Sequence, residues 1–178
     1  PPGIALDTWV PQRAEQFFAA YDGSFRTRPG FPGWSAEQWI EWATDDDDFR
    51  PEPSLLARAC DTPVGFLIGA EGWVVQVGVV PAWRGRGLGA ALVAEILRRA
   101  QAAGARSTLL TVNVNNPGAA RVYERLGFVR IFFYITGFAL GDANLKVVPG
   151  SHLYRDRQIN AQTDAELTGS LRQLREQA

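Results

Sequence analysis

The chain has 178 residues, 46% hydrophobic and 21% charged, which suits one soluble globular domain with a core of its own. Eighteen basic and nineteen acidic residues leave a formal charge of −1, and that balance makes no electrostatic case for nucleic acid or an anionic membrane as partner. A single cysteine, Cys60, and a single histidine, His152, rule out an internal disulfide and argue against a Cys-based zinc site or a Ser-His-Asp or Cys-His pair, so no metal is expected.

No apolar run reaches the roughly 18 residues of a membrane span, and no N-terminal stretch reads as a signal peptide, so a cytoplasmic location is expected. There is no methionine. Residue 1 is therefore not an initiator, and the chain reads as processed or as a piece of something longer.

In chain order, a first helix is predicted over Pro11 to Tyr21, with Pro at its start and Ala14, Phe17, Phe18 and Tyr21 on one side. A Pro- and Gly-rich loop follows from Thr27 to Gly33. A second helix opens at Ser35, where Gln38 completes a capping box and Trp34 with Trp39 has the spacing of a hydrophobic staple. It runs to about Ala43 and ends in the acidic stretch Asp45 to Asp48.

From Pro53 the period changes to that of short strands: Leu55 to Cys60, Val64 to Ala70 and Trp73 to Val80. Connections this short imply antiparallel neighbours. Cys60 falls on the first of these strands and reads as a small buried residue. Leu88, Leu92, Ile96 and Ala100 then mark a helix from Leu88 to Ala103, stopped by Gly104. Ser107 to Val114 reads as a strand, Pro117 to Arg125 as a helix stopped by Gly127, and Phe128 to Tyr134 as a strand. The order predicts an α+β, or mixed α/β, domain. Residues 1–145 are read as the domain and 146–178 as an extension whose helix, 163–177, carries Leu167, Leu171 and Leu174.

The densest local signal is Val77-Gly-Val-Val-Pro-Ala-Trp-Arg84-Gly-Arg-Gly-Leu-Gly89-Ala90, a strand entering a glycine-rich turn and then a helix. Glycines let backbone approach a ligand closely, helix-start N–H groups carry partial positive charge, and Arg84 and Arg86 add full charges. In physical terms this is a phosphate cradle. A nucleoside-triphosphate loop would need a lysine that is missing here. A dinucleotide fingerprint fits Gly85, Gly87 and Ala90, but the next strand ends Val112-Asn-Val-Asn115 without the acid that would hold a ribose.

Arg84-x-x-Gly87-x-Gly89 after Val-x-Pro resembles the acyl-CoA-binding motif of the GNAT superfamily of N-acetyltransferases. Asn116-Pro-Gly-Ala119-Ala-Arg-Val-Tyr123-Glu-Arg-Leu-Gly127-Phe128 resembles its second signature, one helix and one strand downstream. The resemblance spans roughly Leu55 to Phe138. The Arg28 to Trp34 approach and the second tract are also similar to the C-terminal half of mycothiol synthase-like actinobacterial acetyltransferases, which makes the chain one half of a tandem protein in that reading.

The resemblance implies a mostly antiparallel central sheet flanked by helices, and acetyl-CoA as acyl donor. Backbone groups of Val77, Gly78 and Val79 would pair with the pantetheine arm. The N–H groups of Arg84, Gly85, Arg86, Gly87, Leu88, Gly89 and Ala90 would hold the diphosphate, and Asn116, with Ala119 in the same motif, would lie on the pantetheine side. Tyr123 would act as general acid to the leaving thiolate, its phenol protonated at neutral pH with a pKa near 10. An N–H near Val79 would polarise the acetyl oxygen, and an amine of a small molecule or peptide would attack directly.

The strand before the loop lacks the Glu that many members carry and offers Gln76, with Glu71 at its far end, so water or an acid from the acceptor loops would take the proton. Acceptor elements would come from Phe25 to Trp42 and Phe132 to Tyr154. A second copy or a second GNAT domain is the macromolecular partner implied. The rival reading is a catalytically idle CoA-binding module.

Overall fold

The computed structural model describes residues 1–45, 49–105, 107–113, 116–131 and 151–156, with residue 131 and the last segment as backbone. The chain divides into two compact units, Pro1–Ala100 and Gln101–Ala178. The architecture is mixed α/β, with mostly antiparallel strands flanked by helices, as predicted.

In the first unit the strands lie in the order β1 (Ile4–Thr8), β2 (Leu55–Ala59), β3 (Thr62–Ala70) and β4 (Trp73–Val79), each antiparallel to the next. The short connections do force hairpins. β1 is additional to the predicted elements: it is five residues long and Leu6 is 38% exposed, so it carries little of the alternation that marks a buried strand. Cys60 corrects its reading. It sits exposed at the two-residue hairpin tip between Ala59 and Thr62, with φ of 53°, a backbone state such tips favour.

A 3-10 turn over Pro11–Arg13 leads into α1 (Ala14–Phe25), which ends one turn later than predicted. Its buried residues Ala14, Phe17, Tyr21 and Ser24 recur at helical spacing. α2 (Ala36–Thr44) starts with the predicted capping box: the Ser35 N–H donates to Gln38 Oε1 at 2.9 Å and the Gln38 N–H to Ser35 Oγ at 3.2 Å. The staple works differently from the expectation, because the Trp34 ring pairs with Trp42 at 5.4 Å. Trp39, fully buried, instead stacks on Tyr21 at 4.9 Å and meets Phe66 edge-on at 5.7 Å. This aromatic core fastens α1 and α2 to one face of β3 and β4, each buried ring contributing about 2–3 kcal/mol by burial.

α3 (Leu88–Ala102) buries Leu88, Leu92, Val93 and Ile96 and stops before Gly104, whose φ is +79°. Arg99 ties this helix down by donating to Thr8 Oγ1 at 3.0 Å and to the Glu52 carbonyl at 2.7 Å.

In the second unit β5 (Leu109–Asn113) is followed by α4 (Pro117–Arg125), β6 (Phe128–Ile131) and β7 (Ser151–Asp156). β7 pairs antiparallel with both β5 and β6, so those two run parallel and α4 is their crossover. β7 overlaps the end of Phe132 to Tyr154, the segment that the resemblance implies supplies C-terminal strands, and runs two residues beyond it. β5 starts two residues later than expected, at Leu109, and the expected last residues of β5 and β6, 114 and 132–134, lie outside the described residues. The predicted helix 163–177, the tail of the acidic run at 46–48 and most of Phe132 to Tyr154 lie outside the described residues.

Candidate functional site

The first component is the junction of β4 with α3. The Val80 N–H donates to the Val64 carbonyl at 3.1 Å, toward β3. Backbone alternation then turns the N–H and C=O of Val77 and Val79 away from β3, the orientation an extended partner requires. Gly78 faces the other layer. A Cβ there would stand 2.6 Å from Phe66 and 2.9 Å from Ser24, so only glycine lets α1 come this close.

Beyond a 3-10 turn over Pro81–Trp83, Gly85 and Gly87 take φ of 74° and 78°, a region open to glycine at no steric cost. The Ala91 N–H donates to the Gly87 carbonyl at 2.9 Å, which makes Gly87 the N-cap of α3. The N–H groups of Leu88, Gly89 and Ala90 therefore have no acceptor within the helix. Among the described residues the N–H groups of Gly85, Arg86 and Gly87 join no backbone hydrogen bond either. Arg86 lies over the Trp83 ring at 4.9 Å, which keeps its charge at the turn. Six consecutive donors, a helix start and one guanidinium fit a diphosphate.

Arg84 departs from its expected place in that cradle. Its N–H donates to the Pro81 carbonyl at 3.2 Å, and its guanidinium donates to the carbonyls of Val79 at 3.0 Å and Ser24 at 2.7 Å. The other six predicted cradle residues keep their N–H groups.

The second component is the start of α4. Asn116 is its N-cap, accepting the Ala119 N–H on Oδ1 at 3.2 Å, so the Ala119 donor is already engaged. Asn116 also borders a cavity of about 180 Å³ with Asn113, Arg121, Glu124 and Arg130. Tyr123 is 8% exposed and meets Phe128 edge-on at 6.0 Å. Burial pushes its phenol up to about 12, above the expected value near 10.

A raised folded-state pKa stabilises the fold fully below the unfolded value of 10, and that contribution disappears as pH climbs through 12. Tm should accordingly fall between pH 10 and 12, with a shallower fall in Tyr123→Phe. Equal slopes would contradict this.

The model of the acetyltransferase (GNAT) family matches residues 14–128. The chain belongs to the GNAT acetyltransferase family. A mycothiol acetyltransferase of Thermobispora bispora is 33% identical over 142 residues, 73% of this chain and 48% of that protein. This GNAT chain thus spans about half the length of that relative. A solved Pyrococcus horikoshii protein is similar over 87% of this chain and 98% of its own, with a TM-score of 0.65 and 17% identity. Arabidopsis thaliana Naa50, solved with a bisubstrate analogue containing CoA, covers 86% of this chain and 98% of its own, with a TM-score of 0.58 and 17% identity.

In this GNAT chain the β4 position read as lacking a base is structurally engaged. The Trp39 indole N–H donates to Gln76 Oε1 at 3.2 Å, and since an indole can only donate, the amide carbonyl must face it. Glu71 is exposed and paired with Arg50 at 2.6 Å. Neither the Trp39–Gln76 bond nor the Arg84–Ser24 bond was visible in the sequence, because the partners lie 37 and 60 residues apart with no local pattern linking them. His152 lies on β7 opposite Val112. Among the described residues no helix is long and apolar enough to cross a membrane.

Proposed function

We propose that the chain is an acetyl-CoA-dependent N-acetyltransferase that moves an acetyl group directly to a primary amine of a small molecule or peptide. The observation that carries this reading is the row of N–H donors from Gly85 to Ala90, flanked by Arg86 and held open by two left-handed glycines. When bound, acetyl-CoA supplies the activated acetyl thioester. The donor row and Arg86 grip the diphosphate, the β4 backbone at Val77 orients the pantetheine arm, and Asn116 contributes its free amide end. The Val79 N–H polarises the acetyl oxygen. Tyr123 holds a proton that it delivers to the departing sulfur.

Cys60 is exposed at a hairpin tip far along the chain from both motifs, so it has no role in this account. A tandem arrangement with a second GNAT domain, or a second copy, fits a chain that spans about half of its mycothiol acetyltransferase relatives.

Release of free CoA thiol from acetyl-CoA, measured across amines that include alkylamines, peptide N-termini and a cysteinyl sugar, tests the proposal. Amine-dependent release supports it; CoA binding without release on any amine supports the idle-module reading, which Gln76 in place of a carboxylate favours.

The Gln76 carboxamide cannot accept a proton from the amine, so the proton that the attacking nitrogen loses passes to water. The logarithm of kcat/KM should therefore rise with pH only with the amine's own ionisation between about pH 5 and 9. A further inflection in that window, absent after removal of one acidic side chain, would identify a base this account omits.

A further inference from the structure

Arg84 is the charged side chain of the glycine loop that donates to protein carbonyls, through two of its five N–H groups. Its Nε donates to the Val79 carbonyl at 3.0 Å and its Nη2 to the Ser24 carbonyl at 2.7 Å. Ser24 lies in the last turn of α1, where carbonyls lack helical partners and the dipole is negative, so a guanidinium there satisfies an acceptor and meets favourable charge. At the other prong, the peptide unit joining Val79 and Val80 is pinned at both ends: its carbonyl by Arg84, and its N–H by the Val64 carbonyl at 3.1 Å. That unit is the exit of β4 toward the cradle. The same region carries close contacts, since a Cβ on Gly78 would meet Ser24 Cβ at 2.9 Å and one on Gly23 would meet Val80 Cγ1 at 3.2 Å.

We propose that Arg84 is a positioning residue: its forked guanidinium straps the end of α1 to the end of β4 and so fixes where the strand's acyl-orienting groups and the donor loop sit, without touching the diphosphate itself. This rests on the acetyltransferase reading and refines the division of labour within it, leaving Arg86 as the loop's charged ligand. A planar fork can serve two carbonyls at once; an ammonium on a flexible stem is a point charge that serves them poorly.

Two donors separate positioning from phosphate contact: acetyl-CoA, and S-acetylpantetheine, which lacks the diphosphate. Arg84→Lys should lower kcat/KM about fivefold or more with both donors alike, by disturbing β4, with Tm near wild type. Arg86→Gln should lose activity with acetyl-CoA alone. A loss in Arg84→Lys confined to acetyl-CoA would make Arg84 a phosphate ligand and overturn the proposal. A lowered Tm with both kcat/KM values intact would reduce the strap to a structural tie and overturn it equally.

The strap also has a readout that needs no turnover. In the free wild-type protein the Arg84 Nε–H should give a resolved, exchange-protected NMR signal that is lost in Arg84→Lys. If that signal is present while calorimetry shows no CoA binding, the strap stands and the acetyltransferase reading fails; a rapidly exchanging Nε–H overturns the strap itself.

Discussion

Tyr123→Phe is expected to lower kcat by about 10²-fold or more while CoA affinity stays near wild type. The substitution removes one oxygen from a side chain that is 8% exposed, and the edge-on contact with Phe128 needs only the ring, so packing survives. What disappears is a proton source. With burial holding the phenol up to about 12, Tyr123 remains protonated across the working pH range. Its proton is therefore available to the sulfur as the carbon–sulfur bond breaks and negative charge builds there. Without the phenol the thiolate must leave bare. Single-turnover release of CoA thiol, together with a CoA titration, separates the two effects. An unchanged kcat removes Tyr123 from the chemistry.

The second large effect is expected at Gly87. Its φ of 78° is a region in which a β-branched residue is a true outlier, at a cost of order 1–3 kcal/mol. Nothing lies within 4 Å of the position a Cβ would take, so the penalty of Gly87→Val comes chiefly from the backbone conformation. The exposed loop can relax to another conformation in the free protein, leaving Tm nearly unchanged. Binding CoA would then require the strained conformation to be restored, and Kd should rise roughly 10- to 100-fold. Gly89→Ala is the control. Its φ is ordinary and its Cβ would meet Val79 Cγ2 at 3.6 Å, a normal contact, so any loss there reports crowding of the ligand rather than loop strain. Wild-type affinity in Gly87→Val would detach the loop's shape from binding.

The elements that sequence revealed are those whose signal is local. The capping box at Ser35 and Gln38, the apolar stripe from Leu88 to Ile96 and the glycine stops at Gly104 and Gly127 each depend on residues within two turns of each other. The cradle was legible for the same reason, since the glycine spacing, the helix start and Arg86 lie within six residues. The edge strand β1 was missed because two of its five residues are exposed and none is fully buried, and the bounds of β7 were not legible because its pairing with β5 and β6 is set by chain far upstream. Cys60 was placed one residue too far inside a strand, and a hairpin tip inverts its exposure.

The site residues divide along the same line. Tyr123 and Asn116 come from a contiguous motif, whereas the work Arg84 does could only be seen once α1 and β4 were side by side. Arg84 and Arg86 are alike in sequence, yet one donates to two carbonyls and the other stacks on Trp83.

The most direct measurement is a calorimetric titration of the purified chain with coenzyme A, repeated with dephosphorylated pantetheine. If the turn between Pro81 and Leu88 grips the diphosphate, CoA should bind with a saturable heat that pantetheine lacks and that weakens as salt is raised. No heat from CoA at millimolar concentration, or equal binding of pantetheine, would contradict the account.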